Sequence, residues 1–191
     1  MTADYSISIA RILPSWSSLD QSEIDLLATL FKPDCLKQEE IFIKAGKPIN
    51  RIAFLLEGFL YQHDLKENGN IKVEKFICDN HFFNDREGYT EGTHSKSTIQ
   101  ALAPCSLLVI SISDFKMLKN DYPRIDALID KIALKNFNEQ ICLSNYLLTG
   151  CLRQRIERFN KMFARWEPLI SEKIKASYLN ISESSISHIH K

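Results

Sequence analysis

The sequence has no long apolar run, few glycines and no paired cysteines, and each shortage removes a class of function. Its longest apolar stretches, such as Ile52-Ala53-Phe54-Leu55-Leu56, fall far short of the roughly 20 residues a membrane-spanning helix needs. The first residues, Met1-Thr2-Ala3-Asp4-Tyr5-Ser6, lack a basic stretch followed by an apolar one. No secretory signal is therefore expected, and the cytoplasm is the default compartment. Six glycines among 191 residues leave little room for a phosphate-cradling glycine loop. The five cysteines (Cys35, Cys78, Cys105, Cys142 and Cys151) are odd in number and scattered. No two share the two-residue gap of zinc ribbons or dithiol redox motifs, and they do not cluster as an iron–sulfur centre requires. They are expected to be reduced thiols used as small core residues. No nucleophile stands beside a plausible base, so the chain is not expected to be an enzyme, and neither a cofactor nor a metal is called for.

What is present is ordinary for a globular chain: 45% hydrophobic and 25% charged residues, with a formal net charge of zero. The charge is unevenly spread. Residues 151–191 carry eight Lys/Arg against four Glu, a surplus of four, which the remainder of the chain offsets. That asymmetry suits a C-terminal part that faces a polyanion, although a solvated helix face gives the same count.

Residues 18–31 read as a short helix with Ser22 as N-cap and Ile24, Leu26, Leu27 and Leu30 as its apolar face, stopped by Pro33. From 35 to 112 the pattern becomes short apolar runs between turn residues: 41–43, 52–56, 59–65, 71–77, 97–102 and 107–112. Asn68-Gly69 between two of these runs is a strong hairpin signal. Six or more strands at this spacing predict a sandwich, jelly roll or barrel. Beyond Ser113-Asp114, either of which can cap a short helix to Asp121, the period becomes helical. A long helix is expected over 123–148, with Ile125, Leu128, Ile129, Ile132, Phe137, Ile141 and Leu148 spaced by threes, fours or their sums. This stripe is longer than one small roll covers, so part of it is expected to pair with the same helix of a second copy; packing within the chain is the other reading. Gly150 marks a break. A basic helix then spans 152–165, with Arg153, Arg155, Arg158, Lys161 and Arg165 opposite Leu152, Ile156, Phe159 and Phe163, and ends at Trp166-Glu167-Pro168.

The last stretch, about 171–190, meets several constraints at once. Ser171 and Ser182 can cap two short helices. Ala176 provides the small residue where the helices touch, and Asn180 tolerates the left-handed conformation of a tight turn. Ile174, Leu179, Ile181, Ile186 and Ile189 supply the inner faces. Ala, Asn four on, Ile six on and Ile three on is a helix-turn-helix register; a plain two-helix hairpin closing the domain is the alternative. In such a unit the second helix enters the major groove. Its outward residues here are Ser182, Glu183, Ser184, Ser185, Ser187 and His188, with Lys173, Lys175 and Lys191 as further DNA-contacting candidates. Serines can serve phosphates or bases; Glu183 can accept from cytosine or simply favour its helix N-terminus. No arginine lies on this helix, so the bidentate guanine contact is missing. Most affinity is then expected from the span Arg153 to Lys175 and from dimerisation.

Helix, β-roll, long helix and helix-turn-helix together resemble the catabolite activator and fumarate–nitrate regulator (Crp/Fnr) family. The segments that carry the resemblance are Phe31-Lys32-Pro33 through Ile41, the turn Lys44-Ala45-Gly46-Lys47, Ile52 through Gly58, Ile99-Gln100-Ala101-Leu102, and Ile174 through Ser184. It is similar above all to the short members found in Bacteroidetes-type bacteria. The resemblance implies an α+β fold: a β-roll sensor domain of the cyclic nucleotide-binding type (double-stranded β-helix or jelly roll) over residues 1–121, a dimerisation helix over 122–150 and a helix-turn-helix DNA-binding domain over 151–191. It also implies a homodimer on double-stranded DNA, with RNA polymerase as a further partner. Cyclic-nucleotide members of the family hold their ligand with a Gly-Glu pair and a later Arg-Ser pair. Asn84-Asp85 and Lys96-Ser97 stand there in this chain. Lysine meets a phosphate only as a point charge, and Asn84 lacks glycine's room, so cyclic AMP is not the expected effector; another small ligand, or none, is. Two other readings stay open. One is a degenerate sensor or interaction module that keeps the fold without binding DNA. The other is a metal-dependent cupin-like enzyme using His63, His81, His94 and Glu87, although no adjacent strand pair of ligands occurs and His188-x-His190 would point apart on a helix.

Overall fold

The computed structural model describes residues 18–66, 69–85 and 94–189. Eight strands form two four-stranded antiparallel sheets. The first has the order β1 (Lys32–Leu36), β8 (Cys105–Ser111), β3 (Arg51–Glu57), β6 (His81–Phe83), and the second β2 (Ile41–Ile43), β7 (Thr98–Ala101), β4 (Leu60–Leu65), β5 (Ile71–Ile77). The expected roll is present, with two strands more than the apolar runs indicated. Strand β1 escaped because it is an edge strand: only Leu36 of Lys-Pro-Asp-Cys-Leu is buried. Pro33 sits within it opposite Leu108, where its missing N–H costs little. Strand β6 is only three residues long.

The sheets face each other across Leu36, Phe42, Ala53, Leu55, Leu60, Ile77 and Ile99. Both outer faces are covered as well. Over the first sheet, Ile52, Phe54, Leu108 and Ile110 pack on helices α1 (Gln21–Leu30), α2 (Ile112–Asp121) and α3 (Pro123–Leu148). Over the second, Phe59, Tyr61, Val73 and Phe76 pack on C-terminal helices. Double coverage explains why β3 is an unbroken apolar run instead of an alternating one: Ile52 and Phe54 serve one core, Ala53 and Leu55 the other.

The helix starts differ from expectation in an instructive way. Helix α1 is capped by Asp20, not Ser22. The Asp20 carboxylate accepts from the Glu23 N–H (3.0 Å) and the Glu23 carboxylate from the Asp20 N–H (2.9 Å), a reciprocal capping box. Ser22 instead donates to Asp20 Oδ1 (2.6 Å). Helix α2 is capped by Ser111, whose hydroxyl accepts from the Asp114 N–H (3.0 Å), two residues before the expected Ser113. The long helix has the expected bounds. Its first half buries Ile125, Leu128, Ile129 and Ile132, whereas Leu134, Phe137, Ile141 and Leu148 remain 61%, 49%, 43% and 42% exposed. Gly150, at φ +90°, then breaks the chain before α4 (Leu152–Met162).

The hairpin β4–β5 pairs Leu65 with Ile71 as expected; Asn68 of its turn lies outside the described residues. Of the five cysteines, only Cys78 and Cys105 serve the interior, where burial pushes their thiols up to about 12 and about 11. Cys35, Cys142 and Cys151 are exposed, which corrects the expectation that all five fill the core. Among the described residues no helix is long and apolar enough to cross a membrane.

Candidate functional site

Helices α5 (Glu172–Leu179) and α6 (Glu183–Ile189) close the described chain. The Ser171 hydroxyl accepts from the Ile174 N–H (3.3 Å) and the Ser182 hydroxyl from the Ser185 N–H (3.2 Å), so both expected caps are in place. Asn180 adopts φ 50°, ψ 53° at the end of α5. This left-handed residue lets the Ile181 N–H reach back to the Ala176 carbonyl at 3.0 Å. Ile174, Ala176, Tyr178, Leu179 and Ile186 are buried. The tight link between the helices therefore has a cap, a small residue and a sealed inner face.

On the outer face, Lys173, Ser182, Glu183, Ser184 and Ser187 are exposed and Ser185 is half-buried. The Ser182 hydroxyl lies 2.9 Å from that of Ser184 and 2.6 Å from that of Ser185. The Ser187 hydroxyl is 3.3 Å from Glu172 Oε2, which ties the two helices together. The His188 side chain, Lys191 and His190 lie outside the described residues. Lys175 corrects an expectation. It is only 3% exposed, and its ammonium donates to Glu167 Oε1 (2.6 Å) and Asn160 Oδ1 (3.0 Å) above the Phe159 ring. It pins α5 to α4 and cannot reach a phosphate outside. Replacing Lys175 with Met, of similar length and uncharged, is expected to lower the melting temperature measurably, because Glu167 and Asn160 lose their buried partner. Lys173→Met, at an exposed side chain, should leave it unchanged; thermal melts of the two variants side by side separate the roles.

The basic helix α4 is also spent internally. Arg155 donates to the Leu179 carbonyl. Arg158 donates to the carbonyls of Tyr146 (2.9 Å) and Thr149 (3.1 Å), capping the end of α3, and lies over the Tyr146 ring. Arg165 pairs with Glu57 (2.9 Å) and Asp79 (3.4 Å) of the roll. Arg153 pairs with Glu157 (2.9 Å). Lys161 and Lys173 are the exposed cations of this region without a counter-ion among the described residues. The span Arg153 to Lys175, expected to supply most of the DNA affinity, is thus mainly a set of staples between elements.

The C-terminal helices are joined to the roll through β5. The Ser177 hydroxyl accepts from the Val73 N–H (2.8 Å) and donates to the Ile71 carbonyl (2.7 Å), so it satisfies the open edge of that strand. Phe76 meets Phe159, Phe163 and Tyr178 with ring centroids 5.8, 5.0 and 4.8 Å away, and Phe59 stacks on Trp166 at 5.5 Å. Sequence reasoning missed this shared core. The unusual density of Phe159, Phe163, Trp166 and Tyr178 in a small terminal unit was the available signal.

In the roll, the four expected ligand residues do not line one pocket. Asn84 opens onto a cleft of about 890 Å³ between the roll and α3, lined also by Ile52, Phe82, Phe115, Asn136 and Ile141. Asp85 turns inward and is 2% exposed. Its Oδ2 accepts from the Ser95 hydroxyl (2.6 Å), the Lys96 N–H (2.6 Å) and the Ser97 N–H (3.3 Å). The Ser97 hydroxyl points the other way, accepting from Gln62 Nε2 (2.8 Å). The space beside Lys96 and Ser97 is therefore filled by a side chain of the protein.

The metal reading finds no support in this arrangement. No three His, Cys, Asp or Glu side chains gather to hold an ion among the described residues, and Glu87 lies outside them. His63 stacks on Tyr61 with ring centroids 4.7 Å apart, and His81 faces Glu139 at 3.5 Å.

Residues 34–122 match the cyclic nucleotide-binding domain. No curated protein sequence matches the chain. Solved structures do. A protein of Eubacterium rectale assigned to the Crp/Fnr family of transcriptional regulators has a TM-score of 0.74 at 15% identity, over 94% of this chain and 85% of that one. The c-di-GMP-responsive global regulator CLP of Xanthomonas campestris has a TM-score of 0.67 at 14% identity, over 89% of each chain. FixK2 of Bradyrhizobium japonicum has a TM-score of 0.66 at 13% identity, over 84% of this chain and 83% of that one. At these identities the likeness establishes a shared fold. The match to the cyclic nucleotide-binding domain ends just before α3, at residue 122, and the structural match continues past it into the C-terminal helices.

Proposed function

We propose that this chain is a transcription regulator of the Crp/Fnr type that binds double-stranded DNA as a homodimer through a helix-turn-helix at about 171–190. The observation that carries this reading is the αL turn at Asn180 between two capped short helices, at the end of a fold shared with Crp/Fnr regulators over most of its length. Under it, residues 1–121 are the sensor roll, 122–150 the dimerisation helix and 151–191 the DNA-binding domain. Lys173, Ser182, Glu183, Ser184, Ser185 and Ser187 face the DNA, joined by His188 and Lys191. The dimer works in the cytoplasm and meets RNA polymerase at promoters. Asp85 fills the position where a cyclic phosphate would sit, so cyclic AMP is not the effector; the cleft along α3 is the better place for another small ligand.

Fluorescence anisotropy on promoter duplexes from the chain's own genomic neighbourhood tests the reading. With Lys161 and Lys173 as the exposed cations of the C-terminal region that lack a counter-ion among the described residues, a dimer offers about four phosphate contacts from them, and log K is expected to fall with log salt at a slope of about −3 to −4. Binding that is undetectable at low salt, or insensitive to salt, sinks the proposal. A second reading, a sensor or interaction module that keeps the fold without DNA binding, is favoured by one observation: Arg155, Arg158, Arg165 and Lys175 are all engaged inside the protein. A footprint over an inverted repeat decides against it.

A further inference from the structure

His63, on β4, is 9% exposed, and both of its ring nitrogens are shut off from water without a hydrogen-bond partner. The Gln100 carboxamide lies nearby, but its oxygen already accepts from the Tyr61 hydroxyl (2.8 Å) and its nitrogen donates to the Glu39 carbonyl (2.8 Å). A neutral imidazole has one N–H to satisfy and an imidazolium two. Protonation here therefore doubles a donor deficit and adds a buried charge. Burial accordingly pushes the His63 pKa below its ordinary 6.5, against weaker upward pulls from Gln100 and Asp64. No other charge comes to its aid. Asp64 on β4 and Lys72 and Glu74 on β5 flank the His63–Val73 pair, so strand alternation turns them to the opposite face. Glu74 accepts there from Gln62 and Ser97. Glu39, and Lys44 and Lys47 of the turn beside Thr98, are exposed. On α5, Glu172 is engaged by Ser187 and Lys175 by Glu167, while Lys173 is exposed.

The position of the ring gives this deficit a consequence. His63 stacks on Tyr61 and pairs across the strands with Val73. The Val73 N–H points away from β4, to the Ser177 hydroxyl of α5 (2.8 Å). The pair is thus of the kind without mutual hydrogen bonds, in which facing side chains come closest. Tyr61 and Val73 both belong to the core shared with the C-terminal helices. A charge on His63 therefore has to be hydrated at the joint between the roll and those helices.

We propose that His63 is a proton-operated latch: neutral, it seals the outer face of β4 beside Tyr61 and Val73; protonated, it has to reach water, and α5 is released from β5. The direction follows from linkage. An opened joint returns the imidazole to its ordinary value, so protons favour the open form as the pH falls through 6.5. Above that pH the latch is at full strength. Below it the joint weakens until the pH passes the depressed value of the closed form. This rests on the contact between the roll and α5 and stands whether or not the C-terminal helices read DNA.

The test is hydrogen exchange in the full chain, wild type against His63→Gln, at about pH 7.5 and about pH 5.5 with intrinsic rates corrected. The His63 ring is titrated by NMR in parallel. Wild type is expected to lose up to about tenfold of its protection at α5 and at the Val73 amide over this interval, the factor by which one pH unit below 6.5 favours an opened joint. Amides of β3 and β8, in the other sheet, should keep theirs. In His63→Gln, which cannot take up the proton, the loss at α5 should shrink to less than about twofold, and other titrating groups cancel in the difference. The ring should titrate below 6.5. A His63→Gln protein that loses as much protection at α5 as wild type overturns the proposal, as does a ring that titrates at or above 6.5. If His63→Gln fails to fold, wild type decides alone. A ring that titrates below 6.5 together with selective loss at α5 and Val73 supports the latch; α5 protection unchanged by pH overturns it.

Discussion

Replacing Phe76 with alanine is expected to cost about 3–5 kcal/mol and to loosen two parts of the molecule together. Phe76 is fully buried on the outer face of β5. It stacks on Phe59 of the roll with centroids 5.2 Å apart and packs against Phe159, Phe163 and Tyr178 of the C-terminal helices. Its carbonyl also accepts from Gln140 Nε2 of α3 (2.8 Å). A void there removes contacts from three elements that no other side chain can replace, and for a chain of this size the loss corresponds to a fall in Tm of about 6–20 °C. Hydrogen exchange is the decisive measurement. Amides of β4 and β5 and those of α5 should lose protection in parallel, because they share one core. If α5 keeps its protection while the roll loosens, the terminal helices are an independent unit. Leu65→Ala, at a side chain 71% exposed on the hairpin, serves as the control and should change stability by less than about 0.5 kcal/mol.

This coupling bears on how the chain could transmit a signal. Ser177 makes both of its hydrogen bonds to β5 near the hairpin, and Arg165 reaches Glu57 and Asp79 beyond the opposite end of the β4–β5 pair. A shift of the β4–β5 hairpin therefore cannot leave the orientation of α5 unchanged. In the reading proposed above, the helix before the turn is the part of the DNA-binding unit closest to the sensor.

Much of this was legible beforehand, for identifiable reasons. Runs such as Ile52–Leu56 and Ile71–Ile77 are strands because two-sided or one-sided burial leaves a plain apolar pattern. The turn at Asn180 was legible because few residues tolerate φ near +50°. What escaped depended on competition between similar groups. Asp20 outcompeted Ser22 as a cap because Glu23 could reciprocate. The arginines of α4 looked like a phosphate-facing stripe. A guanidinium, however, serves a helix's terminal carbonyls as readily as a phosphate, and only the packing of α3 on α4 decides which. Asp85 read as a weakened version of a ligand-binding acid. Its role as an internal acceptor depends on the strand pairing that turns the Lys96 and Ser97 amides toward it, and that pairing is a long-range property no local pattern encodes.

For the homodimer proposed above, introducing glutamate at both Leu134 and Ile141 is expected to leave the protomer folded and abolish self-association. The two residues are 61% and 43% exposed and seven apart on α3; with Phe137 and Leu148 they form a seam at spacings of three, four and seven, while Ile125, Leu128, Ile129 and Ile132 already cover the roll. A stripe of this kind has the spacing of a coiled-coil seam. Within one protomer both side chains are largely open to solvent and glutamate is a good helix former, so the melting temperature of dilute protein should move little. Across a two-fold interface they place four carboxylates together in an apolar seam. At more than about 1 kcal/mol each for burial without partners, association should weaken by roughly three orders of magnitude or more. Sedimentation equilibrium should show a species of two chains for the wild type and one for the variant. Under the proposed function, DNA affinity provides an independent readout. A monomer engages one half-site, so its salt slope should fall to about half that of the dimer and its affinity should drop with it. A double variant that still sediments as two chains would place the interface elsewhere, and the exposed stripe of α3 would then need another occupant, for which the cleft beside Asn84 and Asn136 is the adjoining surface.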